Sequence, residues 1–524
     1  MIKFDNTYTN LSHVFYTKAP GHHTPIAEVV VFNNVLADDL GLPQDFLLSP
    51  EGAALLSGNA LPEDAAGIAM AYAGHQFGSF TMLGDGRALL LGEVISREGR
   101  RYDLHLKGSG PTTYSRRGDG KAAMGPMLRE YLISEAMHGL GIPTTRSLAV
   151  LRTGEWIQRE KLQRGAVLVR VAESHIRVGT FQYAMALTNH DAVHLNALRQ
   201  LADYAIQRHY PHLALAENPI LAFYEAIIAR QAALVAQWQQ VGFIHGVLNT
   251  DNTAISGETI DYGPCAFLDT YHPDTVFSSI DQNGRYAYGK QPYIIGWNLA
   301  RLGETLLLLL HDDPDQAHAL ADGAYKKYAE AYQKHHHENF CHKLGLNPNA
   351  FPSNRSHENE SHFERASALI DDLLKRMRDH QLDFTETFVY LTLLEALRSE
   401  PETVSAQAEN LVQQYATRYA VLSDWITTWQ QLLSTQKPAT QNHSDFAHTI
   451  AQRMKAHNPC VIPRNAWVEE ALERCVTAHD YTRYNELLNL LKKPYAYSEE
   501  QLSVAFMNEK AVTTSKNYRT FCGT

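Results

Sequence analysis

Cysteine is scarce: the 524 residues hold five (Cys265, Cys341, Cys460, Cys475 and Cys522), odd in number and scattered. A secreted disulfide scaffold needs dense, paired cysteines, so the pattern points to a reducing compartment, with the cytoplasm as the expected location. Positive charge is also short. Lys and Arg number 46 against 57 Asp and Glu, a net charge of −11. That excludes a general nucleic-acid binder, because neutralising phosphates needs concentrated cations. A local basic site for one nucleotide remains compatible with it. Long apolar runs are missing as well. The best candidate, Leu306 to Leu310, is a short piece of helix core, so no membrane span is expected. The opening MIKFDNTYTNLSHVF has no charged stretch leading into an apolar one, and no secretory signal is expected. There is no internal repeat. What is present is ordinary globular composition, 44% hydrophobic and 20% charged, on a chain long enough for about two to four domain-sized cores.

Four runs read as strands: Ala27 to Asn34, Arg87 to Val94, Tyr102 to Gly108 and Ala166 to Glu173. Between them PMLREYLISEAMHGLG reads as a helix. Leu128, Tyr131, Leu132, Ala136 and Leu140 share one face, Pro126 opens it, and Gly139 and Gly141 close it. From about residue 190 the chain is mainly helical. Pro219 to Gly242 is a long helix with a glycine stop, and another helix starts near Gly296. The stretch from His335, HHHENFCHKLGLNPNAFPSNRSHENESH, is poor in apolar residues and reads as an exposed connection; PATQNHSD reads as a second linker. The expected class is α+β, a β-rich part followed by a helical part, which is the order of the two lobes of a protein kinase. The expected divisions are 1–185, 186–437 and a helical extension over 438–524.

The strongest chemical signal is FIHGVLNTDNTAISGETIDYGP, Phe243 to Pro264. A polar loop after a long helix carries Asp251 beside Asn252, and Asp261-Tyr262-Gly263 follows a short strand-like stretch. Phosphate transfer needs hard oxygen ligands for a metal and a carboxylate to orient or deprotonate the nucleophile. Asp261 alone fits an Asx-turn; His245, Asn252 and Asp261 together keep the order of a kinase catalytic loop and metal segment. Where a kinase carries its catalytic base, two residues after the histidine, this chain has Val247. Asp251 can supply a carboxylate from another direction. In YDLHLKGSG, alternation puts Asp103, His105 and Lys107 on one strand face and Leu104 and Leu106 on the other. Lys107, before Gly108 and Gly110, can reach a phosphate, and Glu130 and Glu135 on the next helix are both available partners. Gly84-Asp85-Gly86-Arg87 reads as a hairpin turn, and GDGK (Gly118 to Lys121) is a similar element after Arg116-Arg117. Arg170 and Arg177 offer guanidinium forks suited to phosphate oxygens. GHQFG around His75 reads as a tight turn. The histidines of HHHENFCH fit no standard zinc spacing, and Cys460 and Cys475 read as buried thiols.

Taken in order, YAGHQFGSF, GDGRA, LKGSGPTTYSRRGDGKAAMGPMLREYLISEAM, VRVAESHIRVGTFQ, HGVLNTDN and DYGPCAFLD resemble the selenoprotein O family. The likeness covers most of residues 70–300 and returns in NPCVIPRNAWVEEAL and YRTFCGT. It implies a kinase-like fold of the pseudokinase type that binds ATP flipped relative to kinases. It also implies transfer of AMP to Ser, Thr or Tyr hydroxyls of proteins. Residue by residue, it implies Asp251 as proton acceptor and Asn252 and Asp261 as Mg²⁺ (or Mn²⁺) ligands. Lys107 becomes a phosphate ligand held by Glu130, and Gly84, Gly86, Arg87, Asp119, Gly120, Arg170 and Arg177 become nucleotide contacts. The third residue from the end in this family is selenocysteine or cysteine, here Cys522. That makes the end of the 438–524 extension a redox tail, with Cys265 as a possible partner. The implied partners are ATP and protein substrates, with no nucleic acid and no membrane, and a monomer is the expected state. The rival readings are uridylyl transfer with Mn²⁺, a phosphotransferase using ATP in the ordinary orientation, and a nucleotide-sensing redox module without catalysis.

Overall fold

The computed structural model describes residues 2–188, 192–348, 357–399, 405–438, 440–505 and 518–520. Its first part is built on nine strands: β1 (Tyr16–Lys18), β2 (Glu28–Phe32), β3 (Ile68–Gln76), β4 (Ser79–Gly84), β5 (Ala88–Ile95), β6 (Arg101–Lys107), β7 (Ala122–Ala123), β8 (Arg146–Gln158) and β9 (Leu162–Ala172). They form one sheet in the order β1-β3-β5-β6-β9-β8-β2, with β4 against β3 and β7 against β9. Every pairing is antiparallel. The four expected strands are all present. In β6 the alternation separates two environments: Leu104 and Leu106 pack with Leu89, Leu91, Val167 and Val169 and with Leu36 and Leu56 from short covering helices. Each such buried side chain contributes about 1.5–3 kcal/mol. Asp103, His105 and Lys107, pointing the other way, are buried too.

Gly84–Arg87 is not a hairpin turn. The hairpin joins β3 to β4 at Phe77 and Gly78, whose φ values of 51° and 90° are both positive, as a primed turn requires. This is the tight turn expected around His75. β4 and β5 then both lie along β3, through Ala71↔Gly84 and Ile68↔Leu90. Residues 85–87 form a bulge between them. The side chain of Asp85 explains why: its backbone N–H donates to Met70 O at 2.9 Å and its Oδ2 accepts from Met70 N at 3.1 Å. A carboxylate thus stands where a strand carbonyl would, and the chain can bow outward without orphaning Met70.

The helix Met124–Gly139 crosses one face of the sheet. It is buried nearly all round, because the late helices Asn465–Ala478 and Thr482–Leu491 cover its far side. Tyr484 Oη donates to Leu128 O at 2.9 Å and Tyr495 Oη to Leu140 O at 3.1 Å. The helix Pro219–Val241 begins with Asn218 capping Leu221 N and ends, at the glycine stop expected from its sequence, at Gly242 with φ 75°. Gln291–Leu310 starts earlier than Gly296, with a proline in its first turn.

His335 to Lys343, expected in an exposed connection, are instead the last turns of the helix Pro314–Lys343. Phe340, Cys341, Leu344 and Leu346 are buried there, an apolar set that the surrounding histidines hide in composition. Residues 349–356 of the same stretch lie outside the described residues. The stretches Pro219–Val241 and Tyr288–Leu310 are long and apolar enough to cross a membrane, with mean hydropathies of 1.4 and 1.2, although neither is an unbroken apolar run. Their Ile227, Leu234, Val235, Leu299, Leu302 and Leu306 are buried in the main core.

Candidate active site

The strand β6 delivers Lys107 to the edge of the polar face, and two acids meet it. Lys107 Nζ lies 2.5 Å from Glu130 Oε2 and 2.6 Å from Asp261 Oδ1. Glu135, the other acid available from sequence, is occupied elsewhere: Arg146 Nε and Nη2 donate to it at 2.8 and 2.7 Å, and Asn33 Nδ2 at 2.8 Å. The two glutamates point about 140° apart around their helix, so only one can face the sheet edge. Asp261 sits at φ 68°, a left-handed conformation that Asp tolerates better than most residues. Burial opposes its charge, but Lys107, Arg87 and Arg170 outweigh that and hold its carboxyl well below the usual range.

Asp251 lies in a short turn, Thr250–Asn252, and its surroundings are the opposite. It is wedged between β3 and the start of the helix Val178–Thr188. A Cβ on Gly74 would come 2.3 Å from Asp251 Oδ1, which makes glycine obligatory there. Among the described residues, the side-chain hydrogen bond to its carboxylate is a long one, from Gln76 Nε2 to Oδ2 at 3.5 Å. Oδ1 is buried with no hydrogen-bond partner among the described residues. Burial pushes its pKa up to about 6, Arg177 works against the rise, and the charge on Asp261 adds to it. The loop is held from outside: His75 N donates to Thr250 Oγ1 at 2.7 Å, and Phe77 N and Tyr286 Oη donate to Asn249 Oδ1 at 3.2 and 2.5 Å. Gln76, Gly74 and Tyr286 were missed in sequence reasoning. The segment YAGHQFGSF, which carries the first two, was the available signal. Val247 is buried, and its carbonyl accepts from Asn252 Nδ2 at 3.0 Å. His245 is buried, with Nε2 2.9 Å from Ile260 O, and joins this loop to the Asp261 segment.

The other expected nucleotide contacts divide. Gly84 and Gly86 are packed under Tyr114: a Cβ on Gly84 would meet its ring at 2.3 Å, and one on Gly86 its carbonyl at 2.8 Å. Arg87, beside them, is close enough to Asp261 to act on its charge. Arg177 stacks over the Tyr72 ring at 4.3 Å, lies 4.0 Å from Asp85 Oδ1 and acts on Asp251. Arg170 donates to the second oxygen of Glu130 at 3.3 Å. Asp119 and Gly120 stand apart from this group. Asp119 is exposed and held by Arg159 at 2.8 and 2.9 Å, while Gly120 closes a loop against Gly110 through a 3.0 Å backbone bond.

Cys265 is buried, and its thiol donates to Tyr262 O at 3.2 Å. Burial pushes its pKa up to about 12. Cys522 lies outside the described residues. Thr520, just before it, donates through Oγ1 to Pro264 O at 2.6 Å and pairs with Ser278. Nearby, Arg464 is locked between Asp383 (2.7 Å) and Asp269 (3.0 Å). Asn465 Nδ2 donates to Phe267 O at 3.1 Å. The late segment NPCVIPRNAW thus clamps the strand that follows DYGPC.

A divalent cation fits the donor set. With its Nδ2 committed to Val247 O, Asn252 has its carboxamide oxygen left for a ligand, Asp261 is held ionised, and the buried Asp251 Oδ1 is orphaned. No group of three His, Cys, Asp or Glu able to hold a metal occurs among the described residues. A small number of protein oxygens completed by phosphate and water is the usual arrangement for Mg²⁺.

The family profile described as protein adenylyltransferase SelO matches residues 1–492. A relative from Bacillus cytotoxicus, named protein nucleotidyltransferase YdiU, is 49% identical over 521 residues, spanning 99% of this chain and 97% of that protein. The protein of the same name from Geobacillus kaustophilus is 50% identical over 522 residues, spanning 100% and 99%. That from Shouchella clausii is 49% identical over 521 residues, spanning 99% and 98%. The profile and the full-length likeness agree, and the chain belongs to the protein adenylyltransferase SelO family.

Proposed function

We propose that this chain transfers AMP from ATP to Ser, Thr or Tyr hydroxyls of protein substrates, releasing pyrophosphate, within a two-lobed kinase-like frame. The observation that carries the reading is Asp251, a carboxylate with one orphaned buried oxygen and a pKa pushed up to about 6. A group so tuned takes a hydroxyl proton near neutral pH. It also stands one residue from Asn252, while the position of a kinase base is filled by the buried Val247.

Lys107, fixed by Glu130, offers its ammonium to the phosphates. Arg87, Arg170 and Arg177 add positive charge on the side of Asp261 and Asp251, where negative charge grows on the α-phosphate and on the departing pyrophosphate. Asn252 and Asp261 would hold Mg²⁺ or Mn²⁺. Such an ion supplies Lewis-acid stabilisation of phosphate charge. Gly84 and Gly86, kept free of side chains beneath Tyr114, let backbone approach the nucleotide. Asp119 and Gly120 belong to the next loop and complete the nucleotide's surroundings in this reading.

The test uses ATP labelled at the α or the γ phosphate, with intact-mass analysis of candidate acceptor proteins. Retained α-label with a mass gain of one AMP is the expected result. Retained γ-label makes the chain a phosphotransferase, and transfer from UTP alone with Mn²⁺ makes it a uridylyltransferase.

A further inference from the structure

Arg170 on β9 pairs across the sheet with His105 on β6, and it is enclosed to 4% exposure. Its guanidinium is held on three sides. Nη1 donates to Glu130 Oε1 at 3.3 Å, Nε to His175 Nε2 at 3.2 Å, and Nη2 lies 3.2 Å from His105 Nδ1. An arginine only donates, so each imidazole nitrogen facing it must carry a lone pair. The far nitrogen of each ring faces a carboxylate that only accepts. His175 Nδ1 is 2.9 Å from Asp103 Oδ2, and His105 Nε2 is 3.0 Å from Asp85 Oδ2. The two rings therefore carry opposite tautomers, with the proton on Nδ1 of His175 and on Nε2 of His105. They stack with centroids 4.1 Å apart at 22°, an arrangement that suits neutral rings and would set two imidazolium charges against each other. Burial lowers the pKa of both. The carboxylates are themselves fixed: Asp103 Oδ1 accepts from Arg208 Nη2 at 2.6 Å and Asp85 Oδ2 from Met70 N at 3.1 Å.

We propose that His105 and His175, each locked by a buried carboxylate, are positioning residues that aim Arg170 and, through Glu130, Lys107 at the nucleotide phosphates. Carboxylates in their place would cancel the charge of Arg170 where it stands. Neutral imidazoles fix the fork and leave its charge uncancelled, while Glu130 ties it directly to Lys107. Asp85 and Asp103, read from sequence as a turn residue and a strand residue, set the tautomers.

The proposal rests on Arg170 serving the nucleotide, so the experiment separates the two. His175→Gln and His105→Asn each keep an acceptor at the position facing Arg170, whereas His175→Phe and His105→Phe keep a ring and remove it. Calorimetric ATP affinity is expected to fall about tenfold (about 1.4 kcal/mol) in each Phe variant and to stay within about threefold in the Gln and Asn variants. Folded Phe variants that bind ATP as the wild type does overturn the proposal, as do Gln and Asn variants impaired as much as the Phe ones. Imidazole ¹⁵N spectra of the wild-type chain at neutral pH decide the matter even where a variant does not fold. They are expected to show Nδ1–H at His175 and Nε2–H at His105, and a doubly protonated ring or the reverse pair overturns the arrangement. A wild-type chain that binds no ATP defeats the function proposed above, while the tautomers still test the positioning.

Discussion

Two aspartates in neighbouring loops have opposite surroundings. Asp261 is approached by Lys107, Arg87 and Arg170 and is held ionised far below the ordinary range. Asp251 is enclosed between a strand and a helix start with a long hydrogen bond from Gln76, and burial lifts it to about 6. The same functional group is held as an anion in one place and, in the other, has its pKa raised towards neutrality, as the proposed proton acceptor needs. Environments that separate two carboxylates in this way are how a site assigns a charge-binding role and an acid–base role to one side-chain type. In the proposed reading, losing the kinase base position to Val247 need not remove acid–base chemistry, because Asp251 offers a carboxylate from a different approach.

The largest break in that comparison comes from removing the proton acceptor. Asp251→Asn is expected to lower the transfer rate by about 10²–10⁴-fold, the usual range for a positioned base, with ATP affinity changed only a few-fold. Intact-mass time courses at saturating ATP check it. A large loss of affinity with normal turnover would exchange the roles of the two aspartates.

The same substitution sharpens the comparison in stability. The folded pKa of Asp251, about 6, is raised from 3.8, so the native state holds the proton more tightly than the unfolded chain. Stability is unaffected below about pH 4, falls as pH rises from there to 6, and carries its full penalty above 6, as much as about 3 kcal/mol for a shift of this size. Metal-free Asp251→Asn is therefore expected to melt higher than the parent at pH 7.5 and to lose most of that advantage at pH 4. Thermal scans in chelator at both values are the measurement, and a variant no more stable at pH 7.5 would contradict the buried, unpaired carboxylate.

Asp261→Asn should do the reverse. Mg²⁺-dependent ATP affinity is expected to drop by about 10–100-fold, since the charged ligand of the metal–phosphate unit is gone, while affinity in chelator changes little. Calorimetry with and without Mg²⁺ distinguishes them, and unchanged Mg²⁺–ATP affinity in the folded variant would end the ligand assignment.

Most of this contrast was legible in part. Alternation in Tyr102–Gly108 located Lys107 and its polar face because a strand's two-residue period is local. The choice between Glu130 and Glu135 was not readable from residues. The Met124–Gly139 helix is covered by the sheet on one side and by residues from beyond 465 on the other, so no exposed face marks its orientation. The Gly84–Arg87 bulge was hidden for a similar reason: Asp-Gly favours a turn locally, and only Met70, in a strand before it in the chain, shows that Asp85 is replacing a strand partner. The environment of Asp251 was the least visible. Its burial comes from Gly74 and Gln76 on β3 and from the helix after Arg177, two stretches far from it in sequence that only the folded chain brings together.

The smallest expected effect concerns the segment between Asp261 and Cys265. Thr520 bonds to Pro264 O and lies against Ser278, so the described end of the C-terminal tail touches the residue before Cys265. Cys522, beyond it, is outside the described residues. The Cys265 thiol is poorly reactive in this state, since burial pushes it up to about 12 and the charges of Glu130 and Asp261 add to the rise. A disulfide between Cys265 and Cys522 would pin the chain four residues from Asp261 and leave the surroundings of Asp251 as they are. Mild oxidation is therefore expected to lower Mg²⁺–ATP affinity by a few-fold and to leave the rate at saturating ATP unchanged, with both reversed by reductant. Peptide mapping identifies the pair, and calorimetry with and without dithiothreitol reads the affinity. Cys522 found paired with Cys460, with Cys475 or with nothing would remove the link. A saturating rate that falls while affinity holds would mean that the tail acts on Asp251, and the separation of the two carboxylates would then not extend to their control.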